Sequence, residues 1–391
     1  MTQPVDPTVG LVLAGGGARG AYEVGVLAEL LPYLEERGER PGVIVGTSIG
    51  ALNGAYLAAT AHLPAEKSID EGLKLWREVT YRDICDPLVS TGELWRLLVY
   101  LGELLGVPNA EVESLLDNSP MEDTVPERIE FDQLHANVEN GALARLAVVA
   151  TSYATGESVV FHHGRNGAAP PFDAKRNISY VATPIAPEHV RASAAIPVFF
   201  PAVQLDGGWF GDGGTRLNTP IKPALKLGAE RVVVIGLNSS VPHKDPAVDR
   251  PDIFDGATQF VQALLADQLT QDLQTLATEN VLLHGAAVGD RRPVPYILVA
   301  PKERLEVGRL ARDVYNEQLA GPLERALPRT RDLAMLGHIL GAGRNAVRGD
   351  LLSFLLFHRP FVDRLITRGR RDAERFIDDV GGGDPWRLDP P

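Results

Sequence analysis

Val43-Ile44-Val45-Gly46-Thr47-Ser48-Ile49-Gly50-Ala51-Leu52-Asn53-Gly54 is the stretch whose reading decides the fold. Val43 to Val45 is a short β-branched run and predicts a buried strand. It passes directly into Gly-Thr-Ser-Ile-Gly, and Ala51 to Ala59 then reads as a helix. Strand, sharp turn and helix form the context that a G-x-S-x-G nucleophile elbow requires. Gly46 and Gly50 lack a Cβ, so strand and helix can approach across a turn too tight for bulkier residues. Ser48 is placed at the tip of that turn, strained and exposed, with a helix N-terminus beneath it, as a candidate nucleophile.

Working outward, Thr8 to Ala14 is an apolar run predicted as a first buried strand. Gly15-Gly16-Gly17-Ala18-Arg19-Gly20 follows at once, and a helix is expected from Ala21 to about Arg37, with Pro32 kinking or ending it near Leu31. Alternation of strand and helix predicts an α/β fold, a mostly parallel central sheet covered by helices on both faces in three α/β/α layers. Residues 65–140 read as a helical insertion, with Leu94 to Leu105 apolar nearly all round. Strands resume at Leu143–Thr151 and Ser158–His162. Gln204–Asp206 and Trp209–Phe210, joined by Gly207-Gly208, suggest a hairpin. Arg231–Leu237 and Pro295–Ala300 are further strands, and Phe260, Val261, Leu264, Leu265, Leu269, Leu273 and Leu276 share one helical face. The chain thus divides into a catalytic domain over 8–300, a helical extension over 301–380 and a disordered tail over 381–391.

Composition limits the functions open to such a fold. The chain has 391 residues and a formal net charge of −13, which opposes general nucleic-acid binding. It also opposes adsorption of the whole surface to anionic lipid, so any membrane contact is peripheral and local. Eight arginines stand against four acids over 341–376, and Arg364, Arg368, Arg370, Arg371 and Arg375 form either a solvated face or a headgroup contact. Cys85 is the one cysteine, which excludes an internal disulfide and a cysteine-based zinc site. No apolar run reaches the roughly 18 residues that span a bilayer, and no secretory signal is visible. A cytoplasmic location follows as an expectation. Oligomeric state cannot be read from this pattern.

Acyl transfer needs a nucleophile, a base and donors aimed at the developing oxyanion. Gly15, Gly16 and Gly17 leave successive backbone N–H groups uncovered, in the manner of an anion-holding nest. The same residues, with Gly20, also fit G-x-G-x-x-G, so a dinucleotide site is an alternative. It lacks the acidic residue expected at the end of the second strand, where Gly-Thr-Ser-Ile-Gly stands instead. None of the nine histidines sits in a catalytic context; His162, His163 and His284 read as strand-end or surface residues. Among carboxylates, Asp212 in Gly-Asp-Gly-Gly and Asp206 in Asp-Gly-Gly have similar local surroundings, and both read equally well as turn residues.

Taken together, Gly15 to Gly20, Gly46 to Gly50 and Asp212-Gly213-Gly214 resemble the patatin-like phospholipases, whose members carry a G-G-G-x-[RK]-G loop, a G-x-S-x-G elbow and a later D-G-[GA]. Ala192-Ser193-Ala194-Ala195-Ile196-Pro197, Phe200-Pro201 and Asn218-Thr219-Pro220 add to the likeness, which covers about residues 8–300. The resemblance selects Asp212 over Asp206, because the family aspartate is followed by G-G-x-x-x-N-x-P. It implies a lipid acyl hydrolase with a Ser48–Asp212 dyad, Gly15 to Gly17 as oxyanion hole, and no metal or cofactor. Gly20, Gly46, Gly50, Gly213 and Gly214 would support the turns, and Arg19 either faces a phosphate or braces the loop. The implied partner is a lipid or other acyl ester; a non-catalytic, ligand-regulated lipid-binding protein on the same fold is the alternative.

Overall fold

The computed structural model describes residues 8–86, 114–165, 168–239, 256, 272–283 and 292–389, without 304, 325, 326, 328, 329 and 345. Nine strands among them form one sheet. They are β1 (Val9–Leu13), β2 (Pro41–Thr47), β3 (Arg145–Ser152), β4 (Ser158–Gly164), β5 (Ile178–Ala182), β6 (Val203–Leu205), β7 (Gly208–Asp212), β8 (Arg231–Ile235) and β9 (Tyr296–Val299). The order is β5-β4-β3-β2-β1-β8-β9, with β6 and β7 as an attached hairpin. From β3 through β9 every neighbour on this path is parallel; β4 runs antiparallel to β3, so the sheet is mixed but mostly parallel.

Central strands that read as continuous apolar runs are buried on both faces. Leu11, Leu13 and Ile44 enter one core, whereas Val12, Val43 and Val45 enter the other. The first core lies under helices α1 (Gly20–Glu36), α2 (Ile49–Ala59), α3 (Ala65–Glu78), α4 (Met121–Arg128) and α5 (Phe131–Asn140). The second takes Ile221 and Ala224 of a short helix (Ile221–Lys226), together with Leu273 and Leu276. The result is the expected three-layer α/β/α arrangement. Leu94 to Leu105, Phe260 to Leu269 and His284 lie outside the described residues.

Three expectations need correction. Pro32 does not end α1: Leu30, Leu31 and Leu34 are buried on either side of it, and packing holds the helix through to Glu36. The hairpin turn is Asp206-Gly207, both at positive φ (47° and 81°), so Gly208 already belongs to β7. That is the Asp-Gly geometry that matches strand twist. The segment after Gly381, expected to be disordered, is docked. Tyr296 and Arg387 exchange backbone hydrogen bonds, and the Trp386 indole N–H donates to Glu39 at 3.0 Å.

Beyond β9 the chain forms α6 (Glu306–Gln318), α7 (Arg331–Leu340), α8 (Ala346–Leu352) and the long α9 (Arg359–Val380). Helix α9 lies against α1 at backbone contact distance, with Gly25 facing Ile366 and Gly369 facing Tyr22. Its arginines are largely paired within the protein: Arg364 with Glu317, Arg368 with Glu306 and Asp372, Arg370 with Glu29, and Arg375 with Asp372. Among the described residues no helix is long and apolar enough to cross a membrane.

Candidate active site

Thr47 closes β2 and Ile49 opens α2, leaving Ser48 alone to reverse the chain. The turn is packed over rather than open, and Ser48 is buried, not exposed as the turn alone predicts. Its backbone takes φ 54° and ψ −123°, a conformation that costs a non-glycine residue on the order of 1–3 kcal/mol. The two flanking glycines allow it. A Cβ on Gly46 would lie 2.1 Å from the Gly50 carbonyl oxygen, and one on Gly50 would lie 2.4 Å from that of Leu13. A side chain also holds the strained residue. The Ser48 N–H donates to Ser193 Oγ at 2.8 Å, and the Ser193 hydroxyl donates to the Val149 carbonyl at 2.6 Å.

Asp212 reaches Ser48 through the register of β3. On that strand Val149 pairs with Thr47 of β2, in parallel, while the next residue, Ala150, pairs with Asp212 of β7, antiparallel. Strand β7 therefore continues along β3 where β2 leaves it, and two residues far apart in sequence become neighbours at the junction. The Asp212 carboxylate lies near the Ser48 side chain and accepts a hydrogen bond from the Gly214 N–H at 2.6 Å. Burial pushes its pKa up to about 6, against the lowering effect of Ser48 and the Gly214 N–H. Asp206 is an exposed turn residue.

The glycine-rich loop borders Ser48: a Cβ on Gly15 would come 3.1 Å from Ser48 Cβ. Gly15 N–H donates to Asn218 Oδ1 at 3.0 Å, and Ala18 N–H donates to the Phe354 carbonyl at 2.9 Å. Between them, the Gly16 and Gly17 amides have no acceptor among the described residues. Upstream, Ala14 N–H donates to Glu23 Oε1 at 2.8 Å. Glu23 Oε2 accepts from Asn53, which in turn accepts from the Trp76 indole. Burial raises the Glu23 pKa to about 8, opposed by the bonds from Asn53 and Ala14.

Arg19 does not face an open anion site. It is 1% exposed and its guanidinium bonds to Ser353 Oγ, Asn238 Oδ1 and the Asp350 carbonyl and carboxylate. Beside the elbow an apolar cavity of about 90 Å³ is lined by Ile49, Leu52, Tyr56, Trp76, Met121 and Phe357, among others. No histidine among the described residues hydrogen-bonds to Ser48 or Asp212. His162 is in fact buried, with neither ring nitrogen bonded. The roles of Glu23 and Asn53 carry no sequence signal of their own; Ser193 stands in the Ala-Ser-Ala-Ala-Ile-Pro stretch and Asn218 in the Asn-Thr-Pro stretch.

A serine at a strand–helix elbow, beside a glycine-rich loop on a mostly parallel α/β/α sheet, defines the patatin type of protein. The family model described as patatin-like phospholipase matches residues 11–225, and the chain belongs to that family. Among curated relatives, an NTE family protein of Mycobacterium bovis, described as uncharacterized, is 28% identical over 238 residues, 60% of this chain and 50% of that one. The lysophospholipase nte1 of Aspergillus terreus is 56% identical over 88 residues, 21% of this chain and 5% of its own length. The chain thus spans at most about half the length of these relatives. Human GIVD cytosolic phospholipase A2, solved in complex with methyl gamma-linolenyl fluorophosphonate, aligns over 94% of this chain and 60% of that one at 11% identity, with a TM-score of 0.35.

Proposed function

We propose that the protein is a serine lipid acyl hydrolase acting through a Ser48–Asp212 dyad. The observation that carries this reading is the placing of the elbow serine beside a buried carboxylate whose pKa is raised to about 6, the two brought together by the pairing of β2 and β7 with adjacent residues of β3. A base of that pKa is ionised at neutral pH yet basic enough to take a proton as the serine attacks. Asp212 removes the proton from Ser48 Oγ as Oγ adds to the ester carbonyl. The resulting oxyanion sits at the Gly15–Gly17 loop, where Gly16 and Gly17 are the donors and Gly15 is fixed by Asn218. Collapse of the tetrahedral species breaks the bond to the alcohol, which leaves with the proton held by Asp212. Water then adds to the acyl-enzyme with Asp212 as base, releasing the acid and restoring Ser48.

The apolar cavity beside Ile49 supports an acyl chain as the group delivered to the serine. Together with the family and its lysophospholipase relatives, it favours a lipid ester over a small polar ester. The decisive experiment compares Ser48→Ala and Asp212→Asn with the parent in hydrolysis of acyl esters of graded chain length, alongside labelling by a fluorophosphonate probe. Each variant is expected to lose about 10³-fold or more in kcat/KM while remaining folded, and Ser48→Ala to lose all labelling. Activity within tenfold of the parent in either variant overturns the dyad.

A further inference from the structure

The two unbonded amides of the glycine loop are bracketed by two bonded ones, and the brackets come from different places. Gly15 is held by Asn218, which follows Asp212 by six residues and lies within the family-matched span. Ala18 is held by the Phe354 carbonyl, well outside that span.

The second bracket is elaborate. Gly17 takes φ +57°, and a Cβ there would lie 2.2 Å from the Phe354 carbonyl oxygen, so only glycine lets the two segments close up. Two residues on, the Arg19 guanidinium stacks on the Phe354 ring at 3.8 Å. Its Nε donates to Ser353 Oγ at 2.7 Å, and Nη2 donates to the Asp350 carbonyl at 2.7 Å and pairs with the Asp350 carboxylate at 2.9 Å. Arg19, Asp350 and Ser353 are 1%, 3% and 0% exposed. A buried charge pair with this many directed bonds fixes geometry more than it adds stability.

We infer that the segment Asp350–Phe354 of the C-terminal extension is a positioning element of the active site, clamping the oxyanion loop so that the Gly16 and Gly17 amides point at the reacting carbonyl. Its kinetic consequence rests on the hydrolase reading above; its structural consequence does not. Asp350→Asn and Ser353→Ala test it in the full-length protein. Each is expected to lower kcat about tenfold with KM changed less than threefold, and to weaken a trifluoromethyl ketone inhibitor, which mimics the tetrahedral species, by the same factor as kcat/KM. Hydrogen exchange at Ala18 should quicken at least tenfold while exchange in α9 stays at the parental rate. If Asp350→Asn does not fold, Ser353→Ala carries the same expectations. A folded variant with parental kcat and parental Ala18 exchange overturns the clamp. If Ser48→Ala instead hydrolyses as fast as the parent, the hydrolase reading fails, and the exchange measurement decides the clamp alone.

Discussion

The elbow serine and the glycine loop beside it are held by opposite means. Ser48 is fixed mainly by backbone against backbone: Gly46 against Gly50, and Gly50 against Leu13, all from the first two strands and the helix after them. The glycine loop is fixed by side chains and carbonyls that arrive from far along the chain, namely Asn218, Asp350, Ser353 and Phe354. Steric closeness of backbones is unforgiving and local. Hydrogen bonds from distant segments can be removed one at a time, each at modest cost. The elbow should therefore break outright, and the loop should loosen by degrees.

The largest effect is expected from Gly46→Ala. Its new methyl would meet backbone that has nowhere to go, at a cost on the order of 3 kcal/mol or more, read by urea unfolding; a loss below about 1 kcal/mol would show that the elbow yields. Phe357→Ala comes next. It removes a buried ring stacked on Trp76, with centroids 6.4 Å apart, and should cost about 3 kcal/mol. The same change enlarges the cavity, so preference should move toward longer acyl esters; an unchanged chain-length profile would separate the cavity from the substrate. Asn218→Ala removes the shorter of the two bonds from the Gly15 amide, leaving the 3.3 Å bond to the residue 218 carbonyl, and should reduce kcat several-fold, up to roughly tenfold, with little change in melting temperature.

The smallest effects concern pH. If Asp212 is the base, kcat/KM should fall about tenfold per pH unit below about 6 and level off above it. A folded pKa raised above the unfolded value gives stability that is fully present below the unfolded pKa and is lost as pH rises through about 6. At pH 8 the buried charge is therefore a liability, and Asp212→Asn should raise stability by roughly 1–3 kcal/mol there, with no gain at pH 3. Equal unfolding midpoints for parent and variant at pH 8 would mean the carboxylate is better solvated than its burial implies.

The same contrast explains what could be read in advance. The elbow was legible because its requirement is local: two glycines around a serine, between a β-branched run and an alanine-rich helix. Choosing Asp212 over Asp206 needed the family pattern, since both sit beside glycines and only the pairing of β7 with β3 tells them apart. Glu23 acts through contacts that no spacing announces. The Arg19–Asp350 pair joins residues 331 positions apart, beyond the reach of any periodicity. Pro32 sits inside α1 against its helix-breaking tendency because the buried leucines around it outweigh one lost hydrogen bond.

The register on β3 also bears on which insertions and deletions the chain can absorb. Side chains alternate across a strand, so gaining or losing one residue between Gly208 and Asp212 would turn the carboxylate to the opposite side of the sheet. A change of length at the exposed Asp206-Gly207 turn would leave that parity untouched. Length variation in this hairpin should therefore collect at its tip, and the five residues that follow should keep their number.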